Sequence, residues 1–203
     1  MTIPGMMQGM RVAAVVAVGM ALAGCTGTMF TSNYSSIRDA GYTLPSVPLD
    51  KLPSKFHRQV VKYETREKPG TIIVDTGEKH LYFVMPDGKA MRYGIGVGRE
   101  GFTWSGTNRI TRKAEWPGWT PPPQMIRREA ARGVKLPAYM TGGPMNPLGA
   151  RALYIGSTIY RIHGSPEWNS IGRNVSSGCI RMINQDIIDL YNRAEVGAKV
   201  IVK

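Results

Sequence analysis

Cysteine is scarce in this chain of 203 residues, which has two, and so is histidine, which has three. Two thiols cannot build a disulfide framework, and the few Cys, His and acidic residues are not spaced as a metal site would need. No motif calls for a cofactor. Acidic residues are also under-represented: 14 Asp and Glu stand against 26 Lys and Arg, a formal net charge of +12. Such a balance favours an anionic partner. The basic residues are scattered, however, with Arg112-Lys113 and Arg127-Arg128 the densest clusters, and no nucleic-acid reading motif accompanies them, which argues against nucleic acid. A membrane surface or an acidic wall polymer fits better. No apolar stretch reaches the ~20 residues that a bilayer core requires.

Glycine and proline, by contrast, are plentiful at 24 and 14 residues, while hydrophobic residues make up 42%. That composition points to a mostly β fold with many turns and short strands. The length suits one compact domain with a tail better than two domains.

Residues 1–24 carry a single charge, Arg11, followed by an apolar run over 12–22. This run is the length of an export-signal core and is excluded from the fold. Leu22-Ala23-Gly24-Cys25 resembles a bacterial lipobox, which implies lipidation of Cys25 as the new amino terminus. Thr26 follows the cysteine where retention in the inner membrane would favour Asp. The expectation is therefore a periplasmic protein anchored by lipid to the outer membrane of a Gram-negative bacterium. Residues 25–69 are expected to be the lipidated start and a Ser/Thr/Pro-rich tether, with the folded domain over 70–203.

Within that domain, 71–75 and 80–85 are β-branched and aromatic runs, and Pro86-Asp87-Gly88 turns the chain into 89–97, the pattern of an antiparallel meander. The Trp116 to Pro123 stretch cannot continue a strand or helix. A short helix is expected over 124–132, closed by Gly133, then strands over 152–155 and 159–163. Asn184 offers an N-cap for a second helix bearing Ile187, Ile188, Leu190 and Tyr191, before a final strand over 198–202.

If Cys25 is consumed by lipid, Cys179 is a lone thiol in an oxidising compartment. A free Cys is most often an inert buried residue, but the neighbours of this one suggest chemistry. His163 precedes it by 16 residues, with Pro166, Gly164, Gly172 and Gly178 between them. A thiol with pKa near 8.5 is only about 3% ionised at pH 7, so an imidazole within reach is expected to form an ion pair with it. Ser177-Gly178-Cys179 supplies successive backbone N–H groups for an oxyanion pocket. No Asp or Asn is evident as the third group that would orient the ring, which leaves a backbone carbonyl.

His163-Gly164-Ser165, Ile171-Gly172 and Ser176-Ser177-Gly178-Cys179-Ile180-Arg181-Met182 together resemble the signature of the YkuD-type L,D-transpeptidases, of the ErfK/YbiS-like kind. The resemblance extends upstream to Trp116-Pro117-Gly118-Trp119 and Asn146-Pro147-Leu148-Gly149, and downstream to Asp189-Leu190-Tyr191. It implies a β-sandwich catalytic domain with one or two short helices that acts on peptidoglycan stem peptides. Cys179 would attack the stem at diaminopimelate, release D-Ala, and pass the acyl group to an amine. Acceptors in the family are another stem, a lipoprotein Lys or a D-amino acid. The resemblance makes His163 the base, the Gly164 carbonyl its orienting acceptor, and Ser177 and Gly178 oxyanion donors alongside Cys179. It places Arg181 and Ser176 at the substrate, with Arg181 either holding a carboxylate or bracing the loop. Trp104, Trp116, Trp119 and Trp168 are candidates for lining a groove, though Trp more often packs. A hydrolase or amidase of the same fold, or a non-catalytic wall-binding lipoprotein, are the competing readings.

Overall fold

The computed structural model describes residues 1–2, 34–100 and 104–203. The expected export segment beyond its first two residues, and the expected lipidation site Cys25, lie outside the described residues.

From Tyr34 onward the supposed tether is part of the folded body. Strands β1 (Ile37–Asp39) and β2 (Tyr42–Leu44) form a hairpin, and β3 (Gln59–Lys62) joins the edge of the main sheet beside a later strand. The physical reason is that several large apolar residues of this polar stretch are buried against the domain. Tyr34, Val47, Leu52 and Phe56 are buried in one cluster with Ile171 and Ile183. Polar clamps complete the attachment: Arg151 holds Asp39 through two hydrogen bonds of 2.7 Å, and Trp116 Nε1 donates to the same carboxylate at 2.8 Å.

The meander forms as expected, from β4 (Ile72–Asp75), β5 (His80–Met85) and β6 (Lys89–Gly94), all antiparallel. Asp87 and Gly88 both take positive φ in the turn between β5 and β6, the conformation that matches strand twist. Then come β7 (Val97–Gly98), the ten-residue β8 (Gly106–Glu115), helix α1 (Pro123–Ala130), β9 (Arg151–Ile155) and β10 (Arg161–Ser165). The chain ends with β11 (Asn174–Ser176), β12 (Ile180–Ile183), α2 (Asn184–Arg193) and β13 (Lys199–Val202).

Nine of these strands make one sheet in the order β12-β10-β9-β8-β13-β4-β5-β6-β3. β8 is the hinge of the architecture. Its first half, Gly106 to Arg109, pairs with β13, and its second half, Ile110 to Glu115, pairs with β9, with a register shift between Ile110 and Arg112. Such a bulge bends a strand. The sheet therefore folds over itself, and Gly96, just after β6, bridges to Arg181 on β12. The result is the expected sandwich-like, mostly β fold with two short helices. Its core takes Ile72, Leu81 and Tyr93 from one half and Leu153, Ile162, Ile180 and Met182 from the other. Each such side chain contributes about 1.5–3 kcal/mol on burial.

Helix α2 seals this core with Ile187 and Leu190, three apart on one face, and Ala194 just past its end joins them. Asn184 is not its N-cap. It is the first helical residue, is buried, and its Oδ1 accepts the Ala150 N–H at 2.9 Å. Among the described residues no helix is long and apolar enough to cross a membrane.

Candidate active site

β10 and β12 run parallel and in register, Ile162 opposite Ile180 and His163 opposite Arg181. Side chains alternate along a strand. Because Ile162, Ile180 and Met182 enter the core, His163 and Arg181 must project from the other face. Arg161 lies two residues back along β10 on that face, and Cys179 is the residue directly before β12. The crossover from β10 to β12 thus sets the start of β12, and Cys179 just before it, beside the strand that carries His163. The hydrophobic pattern of the two strands fixes the face that His163 and Arg181 share.

His163 is 4% exposed. Its Nδ1 lies 2.6 Å from the Gly164 carbonyl oxygen, which can only accept, so the ring proton is on Nδ1 and Nε2 carries the lone pair. Burial lowers the pKa of this imidazole to about 4; the Gly164 carbonyl opposes that shift, while the charges of Arg181 and Arg161 add to it. Held down in this way, the ring favours its neutral form at pH 7. Low dielectric and two adjacent cations penalise a positive ring, which no sequence spacing reveals.

Cys179 is half-buried, and its Sγ lies 3.9 Å from the Ile159 carbonyl oxygen, in the turn that leads into β10. The loop before it is held by its own hydrogen bonds. Ser176 Oγ donates to the Cys179 carbonyl at 2.5 Å and accepts the Gly178 N–H at 3.1 Å. Gly178 has φ +106°, a left-handed conformation that a side chain at this position would resist. Ser176 is buried, and by donating to one end of the loop and accepting from its middle it braces the loop before Cys179. The Gly178 N–H, expected as an oxyanion donor, is engaged by Ser176.

Arg181 donates to Glu167 at 2.7 Å, tying β12 to the start of the 3₁₀ turn at Trp168–Ser170. Ser177 Oγ receives Arg128 Nη2 from α1 at 3.5 Å. Trp104 Nε1 donates to the Gly178 carbonyl at 3.3 Å, and its ring stacks on Tyr160 with centroids 4.9 Å apart. Sequence spacing could not have found these two contacts, since neither partner is near the loop in the chain. The other tryptophans serve elsewhere: Trp168 packs against the cluster of Phe56 and Ile183, Trp116 binds Asp39, and the Trp119 backbone pairs with Met140. A cavity of about 880 Å³ lined by Arg66, Lys68, Arg109 and Lys199 lies apart from all these residues. Among the described residues no three Cys, His, Asp or Glu side chains gather as a metal would require.

The described residues thus offer a half-buried thiol, an imidazole whose tautomer is fixed, and a braced glycine turn. The family model described as the L,D-transpeptidase catalytic domain, YkuD, matches residues 69–202. The probable L,D-transpeptidase ErfK/SrfK of Escherichia coli K12 is 42% identical over 134 residues, 64% of this chain and 42% of that protein. The chain thus spans under half the length of this curated relative. The catalytic domain of an Enterococcus faecium L,D-transpeptidase, solved by NMR, superposes with TM-score 0.51 at 19% identity, covering 68% of this chain and all of that one. A Brucella melitensis crystal structure, described as a probable carnitine operon oxidoreductase, is 43% identical with TM-score 0.50, covering 75% of this chain and 96% of that one.

Proposed function

The chain belongs to the YkuD family of L,D-transpeptidase catalytic domains, and from that premise we propose that it is a peptidoglycan L,D-transpeptidase with Cys179 as nucleophile and His163 as base. The observation that carries this reading is a neutral His163 whose Nδ1–H is held by Gly164 on β10, in register with the parallel strand β12 that Cys179 directly precedes. The thiol gives its proton to His163 Nε2 as Sγ bonds to the stem carbonyl at diaminopimelate. Collapse of the tetrahedral intermediate breaks the bond to D-Ala, whose amine takes that proton from the ring. An incoming amine then attacks the thioester, gives its proton to the ring, and Cys179 leaves as the thiol again.

The acceptor in this proposal is another stem, giving a 3→3 cross-link, with a lipoprotein Lys or a free D-amino acid as alternatives. The oxidoreductase description belongs to the Brucella protein and stands apart from the acyl transfer that this thiol and imidazole support. Export to the periplasm and an outer-membrane lipid anchor at Cys25 belong to the same proposal, and they rest on the lipobox pattern. With Cys25→Ser, the protein should leave the detergent phase.

Incubation of the protein with tetrapeptide muropeptides, followed by mass spectrometry, tests the reaction. New dimers with released D-Ala support the transpeptidase. Trimmed stems alone would mean a hydrolase, and no change would mean a wall-binding protein. Cys179→Ala should abolish every product.

A further inference from the structure

The two peptide units that flank Gly178 are each pinned by a side chain. Ser176 Oγ takes the Gly178 N–H, so that amide is not free to meet an oxyanion. The next unit joins the Gly178 carbonyl to the Cys179 N–H. In a planar trans peptide these two groups point in opposite directions, so whatever holds the carbonyl also aims the N–H. Trp104 Nε1 holds it, at 3.3 Å. The indole is itself fixed, lying almost parallel to Tyr160, with 11° between the ring planes. Tyr160 is anchored in turn where its carbonyl accepts the Ile155 N–H across the β9–β10 turn. The same turn places the Ile159 carbonyl against the Cys179 thiol.

We propose that Trp104 is a positioning residue for acyl transfer. Its indole N–H fixes the Gly178 carbonyl so that the Gly178–Cys179 peptide presents the Cys179 N–H to the oxyanion of the tetrahedral intermediate. The donor is then preorganised before substrate arrives, which is where such a group gives its advantage. This inference rests on Cys179 being the nucleophile.

Trp104→Phe keeps an aromatic ring for Tyr160 and removes the N–H. Two reagents read the same thiol in this variant. Acylation by a carbapenem passes through an oxyanion, whereas alkylation by iodoacetamide displaces iodide at a saturated carbon and forms none. Acylation should fall about five-fold, the size expected for loss of one ordinary hydrogen bond, while alkylation keeps its wild-type rate. Loss of fold in part of the sample would change both rates, so their ratio is an internal control. Equal falls in both, or no fall in either, would overturn the role of Trp104. A carbapenem adduct that persists in Cys179→Ala would instead overturn the assignment of the nucleophile.

Discussion

His163 Nδ1 and the Gly164 carbonyl oxygen, one residue apart on β10, are 2.6 Å from one another. This contact sets the tautomer of the base without a carboxylate, and it requires the strand to hold the carbonyl at that angle. Gly164 sits where little space is available. A Cβ added there would collide with Asn184 Oδ1 and lie 2.9 Å from Ile187 Cγ2 on α2. The absence of a side chain at 164 is what lets α2 approach β10 and keeps the carbonyl in place.

Gly164→Ala should therefore do two things. Overpacking against α2 should cost roughly 1–3 kcal/mol in thermal or denaturant unfolding. D-Ala release should fall by about ten-fold or more at a temperature where the variant is folded, as the carbonyl shifts and the ring loses its orientation. Full activity in a destabilised variant would show that the Gly164 carbonyl does not orient the base.

Asp39 and Arg151 provide a second test, of the attachment of the amino-terminal hairpin. The Arg151 side chain is 7% exposed and is paired with Asp39 at 2.7 Å. Asp39→Ala would leave a buried cation without its main partner, at a cost on the order of 3 kcal/mol. Protease cleavage should appear first between residues 34 and 62. Uniform resistance across that stretch would mean the apolar cluster around Tyr34 and Phe56 is sufficient to hold it.

Two buried groups tilt stability in opposite directions with pH. Burial lowers His163 from 6.5 to about 4, so its neutral form stabilises the fold above pH 6.5 and that stability is lost as pH falls toward 4. Burial raises Asp186 from 3.8 to about 7, with Arg58 and the Tyr34 hydroxyl opposing and Asp189 adding. Its protonated form stabilises the fold fully below 3.8, and that stability is lost as pH rises through 7. Between pH 4 and 6.5 the two slopes are each worth on the order of 3 kcal/mol and oppose one another. The melting temperature of the wild type should change little across this window. Asp186→Asn should unmask the histidine and melt progressively lower as pH falls from 6.5 to 4. A variant with the same flat profile as the wild type would contradict the assignment. The depressed carboxylates Asp39, Asp75 and Asp189 titrate below this window.

Much of the fold was legible because the strands advertise themselves. The β-branched runs of β4 and β5, and the Pro86-Asp87-Gly88 turn, are local signals with local causes. The bend at β8 was not legible, since a bulge depends on two different partner strands, β13 and β9. The tether was misread because four buried residues, Tyr34, Val47, Leu52 and Phe56, are diluted among Ser, Thr and Pro. At the site, Cys179, His163 and Gly164 stand out by motif. What burial does to His163, and what Ser176 and Trp104 do to the loop, depend on neighbours brought in by the sheet. The same holds for Asn184, whose side chain reaches Ala150 across 34 positions instead of capping its own helix.

The pH dependence of Cys179 acylation, followed by intact mass with circular dichroism to confirm the fold at each point, tests the proposed role of a neutral His163 most directly. A base that is already neutral at pH 7 predicts a single adduct on Cys179 whose rate of formation keeps its plateau below pH 6 and falls only as the pH nears about 4. His163→Ala should lose that plateau. A wild-type rate that drops away through pH 6.5, as an ordinary histidine titrates, or an adduct on any residue other than Cys179, would contradict it.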